Sequence, residues 1–296
     1  MRLAALTTIS MLAFAANSVL ARLALGGGHI DPLAYSGIRL GAGACVLAAI
    51  ALWRARRAGA GRASGLPQAW LGGSRAGALS LLLYAVSFSI AYGMVATGPG
   101  ALILFASVQF SMLAWAVLRG DRPARLEWLG IGVALAALVY LVSPGLVAPP
   151  LAGAALMAVA GAAWGAYSLI GRGSRAPLSD SAGNFLRCAP VGVLLIGFGA
   201  WRAPPGLQGV ILALASGALA SGLGYIVWYS ALPGLSRAQA ALVQLTVPAL
   251  AAAGGIVFIG EALTPRLVIA TVGITGGVAL ALLASQRRAP RRRAGP

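Results

Sequence analysis

Apolar residues in this chain run in blocks of about twenty, separated by short stretches rich in Gly, Pro and Arg. A helix needs about 20 such residues to cross the hydrocarbon layer of a bilayer. Ten blocks meet that length within a few residues: Leu3–Ala21, Leu33–Trp53, Ala76–Ala96, Ala101–Leu118, Leu126–Val142, Leu151–Ile170, Ala182–Trp201, Leu207–Ala231, Ala238–Ile259 and Leu267–Ala284. Each is apolar all round and rich in Leu and Ala. The strands of a membrane barrel would instead read as shorter segments of alternating polarity. The pattern therefore predicts an all-α membrane protein with ten transmembrane helices.

Composition leaves no room for a soluble catalytic domain. Of 296 residues, 59% are hydrophobic and 9% charged, against roughly 25% charged in a soluble domain. The net charge of +17 and pI near 11.7 would suggest nucleic acid in a soluble protein. Here the arginines sort by loop. If the N-terminus is cytoplasmic, inside segments carry most of them, including Arg54, Arg56, Arg57, Arg62 and Arg75, and the tail RRAPRRRAGP. Outside segments carry only Arg22, Arg202 and Arg266. Cytoplasmic loops are the ones enriched in Arg, so both termini are expected in the cytoplasm and no nucleic-acid role follows. The tail can also touch anionic headgroups. The N-terminal stretch has the look of a secretory signal, but a similar segment recurs later, so it reads as the first span. Cys45 and Cys188 fall within spans without metal-ligand company, and neither a disulfide framework nor a metal site is expected.

The recurrence is general. Gly120-Asp121 aligns with Gly260-Glu261 at an offset of 140, each following an apolar run and preceding a Pro, an Arg and another apolar run. At an offset of 150, AANSVLAR (Ala15–Arg22) matches GAYSLIGR (Gly165–Arg172), and at 148 Arg39 falls over Arg187. The chain thus reads as two five-helix repeats, residues 1–145 and 146–286, with a basic cytoplasmic tail, 287–296. Five being odd, the second repeat must be inverted relative to the first, an arrangement common in secondary transporters, whose sites lie near mid-membrane. Asp121 and Glu261 are then related turn residues, each expected to cap the helix that follows it.

These features resemble the drug/metabolite transporter superfamily in its EamA-type ten-helix form. The residues carrying the resemblance are the two Gly-acid turns, Pro248 thirteen residues before Glu261, the openings AFAANSVLARLAL and GAAWGAYSLIGR, and DPLAYSGIRLGAG with Arg39. Asp121 stands where the pattern usually has Glu, and Val108 stands opposite Pro248. The resemblance implies a cytoplasmic-membrane permease or exporter of small metabolites working by alternating access.

No acid falls at mid-membrane: Asp31, Asp121, Glu127, Asp180 and Glu261 all lie at span ends. Facilitated or substrate-driven transport is expected, without a proton- or sodium-coupling carboxylate. Asp31-Pro32 reads as an N-cap and first helical residue. Arg39 and Arg187, inside spans, either snorkel to an interface or line a cavity and meet an anionic group. Asn17, Ser18, Tyr84, Ser87, Trp164, Tyr167, Tyr225, Trp228, Gln109 and Gln244 complete the candidate substrate-binding set, each of them equally at home in helix packing. Ser80, Tyr84 and Ser87 share one helix face, as do Ser221, Tyr225 and Trp228. Pro248 can kink span nine or act as its hinge, while Gly161-x-x-x-Gly165 and Gly273-x-x-x-Gly277 permit close helix contact.

The leading expectation is a non-ATP secondary transporter, exporting amino-acid-like or amphipathic compounds. A lipid or isoprenoid flippase, or a lipid-modifying membrane enzyme, is the alternative. An enzyme would need clustered acids, histidines or a metal site, and an ATP-driven pump a GxxxxGK(S/T) loop; neither pattern occurs in the sequence, and no cofactor is expected. Ten helices suffice to complete a cavity in a monomer, with a dimer possible.

Overall fold

The computed structural model describes residues 2–57, 72–120, 122–143, 148–172, 174–231, 234–235 and 237–288. All regular structure among them is helical: α1 (Arg2–Gly26), α2 (Pro32–Arg57), α3 (Arg75–Met94), α4 (Thr97–Leu118), α5 (Arg125–Val142), α6 (Leu151–Gly171), α7 (Pro177–Arg202), α8 (Leu207–Ala215), α9 (Gly224–Ala231), α10 (Arg237–Gln244), α11 (Val247–Ile259) and α12 (Pro265–Arg288). A π-helical segment, Ser216–Leu223, joins α8 to α9 in one span, and α10 and α11 form another. Among the described residues ten helices are long and apolar enough to cross a membrane. Asp121 and residues 289–296 of the basic tail lie outside the described residues.

Most element ends follow local chemistry. The Asp31 carboxylate accepts from the Leu33 amide at 2.8 Å, the N-cap its Asp-Pro sequence predicts. Gly120 and Gly260, the glycines of the two Gly-acid turns, adopt φ of +96° and +75°. That left-handed conformation ends a helix cheaply only at glycine. The ninth span breaks at Leu245-Thr246, and Pro248 sits in the first turn of the new helix α11, where a missing amide proton costs nothing. Two expected starts move. The fourth helix begins at Thr97 rather than Ala101 because Pro99 falls in its first turn, and the seventh begins at Pro177 rather than Ala182 for the same reason.

Helices pack mainly across the two halves of the chain: α2 on α7, α5 on α12, α3 and α4 on α6, and α1 and α4 on α11. Small residues permit this closeness. A Cβ on Gly161 would meet the Leu104 carbonyl and Ser107 of α4. On the α5–α12 contact, a Cβ on Gly130 would lie 2.5 Å from the Gly277 carbonyl oxygen, and the converse substitution meets the Gly130 oxygen at 2.5 Å. Between helices already surrounded by lipid, packing is the main attraction left. Gly130→Val is therefore expected to destabilise by about 1–3 kcal/mol through overpacking. Thermal unfolding in detergent checks this; an unchanged midpoint would show that the contact can relax.

Candidate functional site

Seven helical elements, α1, α2, α3, α4, α6, the π-helical segment and α9, meet around Arg39. Its side chain is 3% exposed, set in α2 beneath the π-helical segment. Gly217 makes this approach possible: a Cβ there would strike the Arg39 carbonyl and Ala42. The guanidinium donates from Nε to Ser221 Oγ at 3.2 Å and from Nη2 to the Tyr84 hydroxyl at 3.0 Å. Its Cζ stands 5.0 Å from the Tyr84 ring centroid and 4.7 Å from that of Phe88, both within cation–π range. Nη1 is buried and has no hydrogen-bond partner. A buried guanidinium without a carboxylate is costly, and here the cost is met only in part.

Around it the polar groups form a chain. Tyr84 also accepts from Asn17 Nδ2 at 3.3 Å, and Asn17 Oδ1 accepts from Ser216 Oγ at 2.6 Å. Trp164 lies opposite, its ring centroid 5.0 Å from Tyr84 and 5.2 Å from Tyr225. Together with Phe14, Ser18, Phe88 and Ser221, these groups line a cavity of about 20 Å³. That volume holds about one water molecule, so the site is closed around Arg39 in this conformation.

The same chain matches the EamA-like transporter family model twice, over residues 2–143 and 151–283. The chain belongs to the EamA-like transporter family. It is similar to the uncharacterized protein PA1977 of Pseudomonas aeruginosa, with 48% identity over 97% of this chain and 96% of that protein. It is 30% identical to the threonine/homoserine exporter RhtA of Escherichia coli K12, over 79% of this chain and 76% of that one. A crystal structure with 22% sequence identity shares the fold, with a TM-score of 0.63 over 95% of this chain and 99% of the other. This multi-pass membrane protein is a transporter, not an enzyme.

In this EamA-like transporter the ends of the bundle are closed differently. At the arginine-poor end Glu261 reaches across to α4, where its oxygens accept from the Thr97 amide at 2.9 Å and Oε1 from the Thr97 hydroxyl at 3.1 Å. Arg22 Nε lies 3.4 Å from Glu261 Oε1, and Arg22 Nη1 donates to the Tyr92 carbonyl at 3.0 Å. Glu261 was expected to cap the helix after it. It caps α4 instead, while Thr264 Oγ1 accepts from Leu267 at the start of α12. The reason is reach: the Gly260 turn aims the carboxylate at α4, whose own N-cap residue, Ala96, has no side-chain oxygen to offer. At the same end Arg202 pairs with Asp31 at 3.4 Å.

At the arginine-rich end the segment before α3 is tied to α7. Gly73 donates to Asp180 Oδ1 and Ser74 to Asn184 Oδ1, both at 2.8 Å; the Asp180 carboxylate also accepts from Ser174 Oγ. Besides an open recess of about 380 Å³ lined by Arg75 and Arg187, two smaller cavities open here. One of about 140 Å³ is lined by Tyr167, Ser174, Asp180 and Asn184. Another of about 150 Å³ is lined by Arg54, Ser181, Ser230 and Tyr225. Tyr225 lines both this second cavity and the central one. It separates them.

The sequence-derived candidates therefore divide. Asn17, Ser18, Arg39, Tyr84, Trp164 and Tyr225 share the central cavity. Tyr167 stacks on Trp164 at 5.4 Å but faces the cavity toward α7. Trp228 packs on Phe14 at 5.9 Å, behind the site. Ser87 is buried and Gln109 half-buried, both outside the central lining, and Gln244 donates to Ala240 of its own helix. Arg187 is exposed and donates to the Gly72 carbonyl, so the two arginines paired by the repeat occupy different places. Sequence reasoning missed Phe14, Phe88 and Phe105 as lining residues and Ser216 as an Asn17 partner. Phenylalanines in apolar spans, without a polar group, carry no signal of their own. The small-residue run Ser216-Gly-Ala-Leu-Ala-Ser-Gly did carry one, because such a run admits a π-helical segment, a feature frequent at functional sites.

Proposed function

We propose that this EamA-like transporter exports small, carboxylate-bearing metabolites of amino-acid type across the cytoplasmic membrane, with Arg39 receiving the carboxylate. The observation that carries this reading is the buried Arg39 Nη1, which has no partner in a cavity lined by no acid. A carboxylate arriving there completes the guanidinium's hydrogen bonding and neutralises its charge. The aromatic wall of Tyr84, Trp164 and Tyr225 suits an amphipathic body. Similarity to a threonine/homoserine exporter favours the same class and direction.

The positive-inside distribution of arginine puts both termini and the arginine-rich end in the cytoplasm. Substrate then enters through the cavities beside Asp180 and Arg54, passes Tyr225 as it swings aside, and docks on Arg39. Because about 20 Å³ admits no metabolite, helices must separate on loading. Release requires parting Arg22 from Glu261 on the outer side. The two repeats, inverted relative to one another and meeting near residue 146, exchange these openings by alternating access. With no carboxylate lining the central cavity, transport follows the substrate gradient, and one ten-helix chain holds a complete site.

Feeding dipeptides to bacteria raises internal amino acids and exposes an exporter. Cells making this protein are expected to release a small set of carboxylated metabolites severalfold faster than cells making the Arg39→Gln, Trp164→Ala double variant at equal membrane abundance. Released compounds that lack a carboxylate, or identical profiles, would overturn the reading.

A further inference from the structure

The charge and donor inventory of the central cavity goes further than a carboxylate contact. Its one formal charge is the Arg39 cation. The five acids of the chain are elsewhere: Asp31 pairs with Arg202, Glu261 with Arg22, Asp180 with Gly73 and Ser174, and Glu127 accepts from the Ala124 amide. Asp121 lies outside the described residues and is not among the residues that line the cavity. Among the described residues no carboxylate lines the cavity to receive a substrate ammonium.

The groups in direct contact with the guanidinium offer protons as well as the cation. Arg39 Nη1 is an unused donor. Tyr84 accepts in both of its hydrogen bonds, from Arg39 and Asn17, which leaves its own O–H proton to donate. Ser221 accepts from Arg39 Nε and likewise keeps its proton for a ligand. Asn17 has its carbonyl oxygen occupied by Ser216. The guanidinium already covers the Tyr84 and Phe88 faces, so a second cation there would meet a like charge rather than an aromatic face. An α-ammonium, one carbon from a carboxylate docked on Arg39, stays within about 6 Å of that charge, where like charges repel appreciably at the dielectric of a protein interior.

Resting on the reading of Arg39 as the carboxylate receptor, we infer that the site takes monoanions: it recognises the carboxylate, does not recognise the ammonium, and binds 2-hydroxy acids or N-acylated amino acids more tightly than the parent zwitterions. Such a ligand brings net charge −1 to a cavity of net charge +1. A zwitterion leaves the cation's field uncompensated.

The test uses matched sets on the full chain in detergent: threonine, leucine and phenylalanine, each with its 2-hydroxy acid, its N-acetyl derivative and its decarboxylated amine. Binding is read by ligand-induced thermal stabilisation and repeated with Arg39→Gln. The expected result is at least tenfold tighter binding of the hydroxy acid or acetyl derivative than of the amino acid, no binding of the amine, and loss of all binding in Arg39→Gln. Amino acids binding more tightly than their hydroxy acids, with the amines still excluded, would overturn this inference and leave Arg39 as the carboxylate receptor. Amines binding as well as amino acids, ligand binding unchanged in Arg39→Gln, or no member binding at millimolar concentration would overturn the carboxylate reading itself, and this inference with it.

Discussion

Replacing Arg39 by Gln lowers transport at least about thirtyfold below the parent at matched membrane abundance, while the protein stays folded. Three guanidinium nitrogens have separate tasks: Nε holds Ser221, Nη2 holds Tyr84 and Nη1 faces the ligand. Truncating one partner of a buried, hydrogen-bonded charge pair costs about 2–5 kcal/mol, which corresponds to a loss of roughly thirty- to several-thousandfold. Lysine offers a single point charge and cannot span Ser221, Tyr84 and a carboxylate at once. Arg39→Lys therefore keeps the charge yet still loses about tenfold or more. The apolar Arg39→Met variant separates function from folding. Arg39 has no buried counter-ion that its removal would orphan, and losing an uncompensated buried charge offsets the lost bonds to Ser221 and Tyr84, so this variant should be inactive with a melting temperature close to the parent's. Counterflow in proteoliposomes and melting in detergent read the two effects. Transport surviving in Arg39→Gln, or collapse of the fold in Arg39→Met, would mean that Arg39 is a packing element.

Removing the Glu261 carboxylate unseals the arginine-poor end of the bundle. Glu261 pairs with Arg22 and supplies the acceptor for the first amide of α4. Losing a helix cap typically costs about 0.5–2 kcal/mol, and here Arg22 is left without its counter-ion as well. Ser18 lies one helical turn below Arg22 and lines the central cavity. In a background with Cys45 and Cys188 replaced by Ala, a Ser18→Cys reporter is expected to react slowly with a membrane-impermeant maleimide in the parent. The rate should be about tenfold faster in Glu261→Ala, with reagent supplied to the arginine-poor face. Arg22→Ala should act in the same direction. Equal rates in parent and variants would show that the ion pair does not hold that end shut.

Much of the fold was legible because the bilayer imposes a length. All ten spans follow from hydropathy, since a helix crossing hydrocarbon has no other way to satisfy its backbone. Local chemistry was also readable: Asp31 caps α2 as its Asp-Pro pair suggests, and the Gly-acid turns need glycine at positive φ. The break beside Pro248 follows from the proline itself. The site was legible in outline only. Six of its members were named from polarity or aromaticity within apolar spans, yet the same criterion named Ser87, Gln109, Trp228 and Gln244, which lie outside the central lining.

Arg39 and Arg187 make the division plain. In the sequence they are equivalent, each one arginine near the start of a related span, and either could snorkel or line a cavity. Packing separated them. Arg39 is covered by the π-helical segment because Gly217 lets that backbone come close, whereas Arg187 stays at the bundle surface on the Gly72 carbonyl. Glu261 is the same kind of case, its sequence neighbours pointing to the helix that follows and its actual partners, Thr97 and Arg22, standing more than 160 residues away. What the sequence by itself determined is what depends on near neighbours and on the solvent: ten helices, their approximate ends, the doubled pattern and the arginine asymmetry between the two faces. Tertiary structure alone decided which polar groups meet, because a hydrogen bond or ion pair between distant segments depends on distances of a few ångströms that no local pattern encodes.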